Sequence, residues 1–140
     1  MDSLEQIFAL QAELNRRSGF DPDKVTVNGS VDVKYAGEWL CNYLMAMGNE
    51  LEELRNCTYW KHWCKEAKEG RRFEVFDIQN ARVEVIDMLF FWISLAQCVG
   101  LTAETAFSLY MKKLGVNHSR QDNDYSMQGK TEDDNKGLSV

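Results

Sequence analysis

The chain has 140 residues, 44% of them hydrophobic and 27% charged, and its 22 acidic against 16 basic residues give a formal net charge of −6. That length suits a single domain with its own core, and the acidic balance argues against a duplex DNA or RNA partner, which needs a basic face for its phosphates. Four cysteines without C-x-x-C spacing, beside only two histidines, argue against a zinc site.

The first element is a helix from a capping-box start at Ser3 and Gln6, with Leu4, Ile7, Phe8, Leu10 and Leu14 at helical spacing as far as about Arg17. Its first turns are acidic, with neither a basic leader nor a continuous apolar run, so no signal peptide is read there. No later stretch has the length of a membrane span. The expected compartment is therefore the cytoplasm. Residues 19–32 carry two turn signals, Asp21-Pro22-Asp23 and Asn28-Gly29, around Val25-Thr26-Val27, and are treated as a loop. From Val33 to Asn56 the positions Tyr35, Trp39, Tyr43, Met47, Leu51 and Leu54 mark a long second helix that carries Glu50 and Glu53. A polar and aromatic segment follows, containing Trp60-Lys61-His62-Trp63. A third helix is expected from about Phe73 to Val99, stopped by Gly100, and a fourth from a Thr102 cap to about Leu114. The expectation is an all-α bundle of four to five helices, with residues 1–117 as one domain and residues 118–140 as a polar tail unable to support a packed core.

The third helix carries the informative anomaly. Glu84 and Asp87 sit among Val83, Val85, Ile86, Met88, Leu89, Phe90 and Phe91. An acidic pair three residues apart is ordinarily solvated surface, but flanks this apolar leave little polar surface for it. Carboxylates in such a place need compensation by a partner or a metal. With Glu50 and Glu53 they make four inward carboxylates on two helices, an all-oxygen donor set suited to a hard divalent cation, magnesium first and manganese second. A carboxylate-bridged di-iron bundle would carry Glu-x-x-His, and neither His62 nor His118 has a Glu three residues before it.

Other groups allow two readings each. Lys113, Asn117, Arg120 and Tyr125 can complement a helix C-terminus or contact phosphate. Trp60 and Trp63 can stack on a base or anchor a loop on the core. Gln11 and Asn15, one helical turn apart, can meet a base edge or lie on an ordinary helix surface.

Taken in order, Leu10-Gln11-x-x-Leu14-Asn15, Glu50-x-x-Glu53, Trp60-Lys61-His62-Trp63, Arg82-x-Glu84-x-x-Asp87 and Lys113-x-x-x-Asn117-x-x-Arg120-Gln121 resemble the all-α dimeric dUTPase family, within the MazG-like nucleoside triphosphate pyrophosphohydrolases. The resemblance covers about residues 7–125. It implies magnesium held by Glu50, Glu53, Glu84 and Asp87, uracil met by Gln11, Asn15 and Trp60, and phosphates and sugar contacted by Lys113, Asn117, Arg120 and Tyr125. It also implies hydrolysis of dUTP to dUMP and pyrophosphate, with Glu50 or Glu53 orienting the attacking water, and a homodimer or a dimer of dimers. Phe90 stands where the family's pattern has a His shortly after the Asp, and the chain is shorter than the larger members. The closest other expectation is the same reaction on another nucleoside triphosphate such as dCTP. The rival from a different class is a non-catalytic helical module whose acidic pairs bind a partner's Lys or Arg.

Overall fold

A computed structural model of the chain describes residues 1–123, 126–129 and 132–140. The architecture is all-α. Among the described residues there are four long helices, α1 (Ser3–Arg17), α2 (Val33–Arg55), α3 (Ile78–Cys98) and α4 (Ala103–Asp122), and one two-stranded hairpin, β1 (Thr26–Val27) with β2 (Ser30–Val31). Contacts divide the chain into two units, Ala9–Gly100 and Met1–Phe8 with Leu101–Val140. No single helix among the described residues is long and apolar enough to cross a membrane.

The helix ends follow local chemistry. At α1 the capping box belongs to Asp2 rather than Ser3: Asp2 Oδ1 accepts from Glu5 N, and Glu5 Oε2 accepts from Asp2 N, both at 2.9 Å. Asp32 and Asp77 cap α2 and α3, and Thr102 caps α4 as expected, in a reciprocal pair with Thr105. Gly100 follows α3 with φ 78°, a left-handed position that costs glycine nothing. Two further boundaries differ from expectation. α3 starts at Ile78 because residues 73–76 are tied to residues 57–59 by backbone hydrogen bonds around a bridge between Thr58 and Val75. α4 passes the expected end near Leu114 and continues to Asp122; Gly115 lowers its propensity by about 1 kcal/mol but no proline breaks it.

Residues 19–32, treated above as a loop, do contain a hairpin. Thr26 pairs with Val31 and Val27 with Ser30 across Asn28-Gly29, whose φ values of 51° and 81° suit a tight two-residue turn. Beneath it lies the core of the Ala9–Gly100 unit: Phe20, Val25, Tyr43 and Cys98 are buried, with Tyr35, Trp39, Leu40, Phe91 and Leu95 packed on them. Phe20 is the hub, its ring 5.5 Å from that of Trp39 and 5.7 Å, edge-on, from that of Tyr43.

Between α2 and α3 the chain makes a closed excursion. Tyr59 N donates to Glu74 O, Phe73 N to Tyr59 O and Phe76 N to Cys57 O, around a bridge between Thr58 and Val75. Cys57, buried, ties this neck to both helices: its Sγ lies 3.6 Å from Glu53 O and accepts from Asn80 Nδ2 at 3.3 Å.

Candidate functional site

Helices α2 and α3 pack together, and this brings Glu50 beside Glu84 and Asp87. One carboxylate oxygen from each lies within 4.8 Å of the others. Glu50 Oε2 and Glu84 Oε2 are buried, and no donor among the described residues reaches either. Burial, followed by the facing carboxylates of Glu84, Glu53 and Asp87, pushes the Glu50 carboxyl up to about 7. Burial also raises Glu84, with Glu53 and Asp87 adding to the effect and the contact with Glu50 working against it. Three crowded carboxylates with two orphaned buried oxygens are what a divalent cation relieves, and an all-oxygen donor set fits a hard one. Glu53 is exposed and outside the trio; its Oε1 accepts from Asn49 Nδ2 at 3.2 Å, yet its charge is felt at Glu50 and Glu84.

A second polar group is buried on α1 and the far half of α3. Gln11, Asn15, Ser94 and Gln97 are 6%, 2%, 0% and 6% exposed. Asn15 is at their centre: Nδ2 donates to Gln97 Oε1 at 3.0 Å and to Ser94 Oγ at 3.1 Å, while Oδ1 accepts from Gln11 Nε2 at 2.9 Å. Gln11 Nε2 also reaches Ser94 Oγ at 3.3 Å, and Ser94 Oγ donates to Phe90 O at 3.0 Å or Asn15 Oδ1 at 3.2 Å.

One pocket joins the two groups. It has a volume of about 570 Å³, and Gln11 and Asn15 lie among its lining residues with Glu50 and Asp87, the walls between including Leu14, Tyr43, Phe90 and Phe91. That volume is in the range of small-molecule sites. Such a pocket can hold a ligand with an anionic part, through a cation, and a flat polar part. Phe90 adds an apolar wall where a His would offer a hydrogen bond.

The other residues singled out in the sequence belong to other elements of the chain. Trp60 is in the excursion, not in the lining of this pocket; its Nε1 donates to Asn56 Oδ1 at 2.9 Å, Arg55 stacks 4.8 Å from its ring centre, and Trp63 meets it edge-on at 5.9 Å. Lys113, Asn117 and Arg120 are all on α4, in the other unit, spaced i, i+4, i+7 along one face; Lys113 Nζ donates to Asn135 Oδ1. Tyr125 lies outside the described residues. Sequence reasoning does not single out Ser94 and Gln97, which carry a weaker form of the signal at Glu84 and Asp87: polar residues three apart in an apolar helix, but uncharged. Tyr43, which in the sequence only marks the period of the second helix, lines the pocket, and burial pushes its hydroxyl up.

A family model described as dUTPase matches residues 3–103. A protein of Enterobacteria phage LZ5 described as a dCTP pyrophosphatase is 27% identical over 146 residues, spanning 89% of this chain and 84% of that protein. No solved structure matches the chain significantly.

Proposed function

The chain belongs to the all-α dimeric dUTPase family, and from that premise we propose that it is a nucleoside triphosphate pyrophosphohydrolase acting on dUTP, releasing dUMP and pyrophosphate. The observation that carries the reading is that one pocket has two carboxylates of the acidic trio, Glu50 and Asp87, and the buried amides Gln11 and Asn15 in its lining. Glu50, Glu84 and Asp87 would hold magnesium, with manganese as a substitute and Glu53 beside them. The bound ion would supply charge neutralisation at phosphate oxygens and a more acidic attacking water. Glu50 or Glu53, the carboxylates of α2 at this site, would orient that water and take its proton.

Among the amides, Gln11 meets the base. Its Nε2 is spent on Asn15 and Ser94, and among the described residues nothing donates to its Oε1. A carbonyl facing ring position 3 accepts uracil's N–H and opposes cytosine's lone pair. Leaving one such group unpaired costs on the order of 1–3 kcal/mol, about fivefold to a hundredfold in selectivity. The family pattern supports Lys113, Asn117, Arg120 and Tyr125 as phosphate and sugar contacts, and Trp60 as a further part of the base site.

Hydrolysis of dCTP is the second reading, favoured by the phage relative's description. Deoxynucleoside and nucleoside triphosphates, each assayed with and without magnesium and with products identified, test both. The expected result is magnesium-dependent release of pyrophosphate, fastest with dUTP. Faster turnover of dCTP favours the second reading. No turnover of any triphosphate, together with no thermal shift on adding magnesium, favours the non-catalytic module.

A further inference from the structure

Two buried polar residues, Ser94 and Gln97, remain outside the mechanism above. Both are on α3 between Ile93 and Cys98, in a segment otherwise apolar. Burying four uncharged polar side chains together costs stability unless each is satisfied, and here the pattern of satisfaction is directional. Gln97 Oε1 accepts from Asn15 Nδ2, which decides which end of the Asn15 amide faces Gln97. Asn15 Oδ1 is thereby turned to Gln11 and accepts from its Nε2. Ser94 Oγ lies between them and takes both amide nitrogens, at 3.1 and 3.3 Å, while its own proton goes to Phe90 O or Asn15 Oδ1. With the Ser94 proton on Phe90 O, its oxygen is left to accept from the two amide nitrogens, and together with Gln97 Oε1 it favours this orientation of Asn15 and Gln11.

We propose that Ser94 and Gln97 are positioning residues for base selection: acting through Asn15, they fix the polarity of the Gln11 amide so that its carbonyl, rather than its NH2, is presented to the base. Neither residue is in the lining of the pocket, so each would act through its neighbours rather than on substrate. The inference rests on the proposed pyrophosphohydrolase activity and adds how selectivity between uracil and cytosine is set. Without the acceptor at position 97 the Asn15 amide can turn over. Gln11 can then turn with it and offer Nε2, a donor that suits the ring nitrogen of cytosine.

Wild type, Gln97→Leu, Gln97→Glu and Ser94→Ala are compared on dUTP and dCTP at saturating magnesium, with inorganic tripolyphosphate as a competitive inhibitor that has no base. Gln97→Leu and Ser94→Ala should lower the ratio of kcat/KM for dUTP over dCTP by about tenfold or more, with the loss for dUTP in KM. Gln97→Glu keeps an acceptor oxygen for Asn15 Nδ2, whether or not its carboxyl is protonated, and should stay within about threefold of the wild-type ratio. Inhibition by tripolyphosphate should be the same in all four, whereas a loss of fold would weaken it and lower turnover of both nucleotides together. An unchanged ratio in Ser94→Ala, the smallest of the changes, overturns the positioning role while leaving the pyrophosphohydrolase reading intact. A wild-type preference for dCTP overturns the carbonyl-outward assignment. If wild type turns over neither nucleotide, both this inference and the reading beneath it fail.

Discussion

Glu50 shows how much a single side chain can reveal in this chain. A carboxyl held near 7 in the folded protein, against an ordinary value of 4.5, binds its proton more tightly folded than unfolded. Its contribution to stability is therefore present below about pH 4.5 and is lost as pH rises toward 7. In chelator, the melting temperature of the wild type should fall relative to Glu50→Gln across that window, and adding magnesium near pH 7.5 should reverse the difference. A constant offset between the two proteins from pH 4.5 to 7.5 would show that Glu50 is not raised. Glu84→Gln and Asp87→Asn should each reduce turnover by about a hundredfold or more while leaving the circular dichroism spectrum helical, since removing one charge from a crowded trio relieves repulsion as it removes a ligand. Near-normal turnover with unchanged magnesium dependence in either variant would place the cation elsewhere.

At the scale of elements, what the sequence revealed divides along a physical line. α2 and α3 could be read because their apolar positions recur at the helical period over more than twenty residues, and Glu84 and Asp87 stood out against that background. The α1 cap was misplaced by one residue because Asp2 and Ser3 are both good caps and only the fold selects between them. The hairpin rests on four strand residues, too few for periodicity to register, and on cover over Phe20 and Val25 that is tertiary. Ser94 and Gln97 escaped notice because an uncharged polar side chain in an apolar helix is common, whereas a charged one is not. The continuation of α4 turns Lys113, Asn117 and Arg120 from the end of a helix plus its tail into a stripe on one face. Lys113→Ala and Arg120→Ala should therefore act alike, weakening a non-hydrolysable triphosphate by about fivefold or more and the monophosphate by less, as calorimetry with both ligands would measure. An equal loss for the two ligands would assign these side chains to the fold or to the nucleoside.

At the scale of the whole molecule, the net charge of −6 and the carboxylate trio suit the proposed small phosphorylated substrate, which would arrive with cations. A large part of the hydrophobic surface is still exposed: Leu44, Met45 and Leu51 on α2, and Val83, Val85, Ile86, Leu89 and Trp92 on α3. Exposed apolar side chains in this number on two helices fit a bundle completed by another copy of the chain. Sedimentation at micromolar concentration should give the mass of at least two chains; a single-chain mass would leave those faces unexplained.

The neck that closes the excursion between α2 and α3 has a consequence for how the chain can change. Because residues 57–59 and 73–76 are paired, and Cys57 is bonded on both sides, the register of Glu50 against Glu84 does not depend on what lies between Trp60 and Arg72. Closing a loop of twice the length costs only about 0.6 kcal/mol more. The segment is thus a place where length and composition can drift, or be engineered, without moving the acidic trio. Replacing residues 61–71 with a glycine-serine linker of equal length should preserve the magnesium-induced thermal shift while erasing whatever the Trp63 side of the excursion contributes to nucleotide affinity. Loss of the thermal shift would show that the neck alone does not hold the helices in register. If it holds, the insert is interchangeable, and relatives of this chain could differ widely there while keeping one reaction.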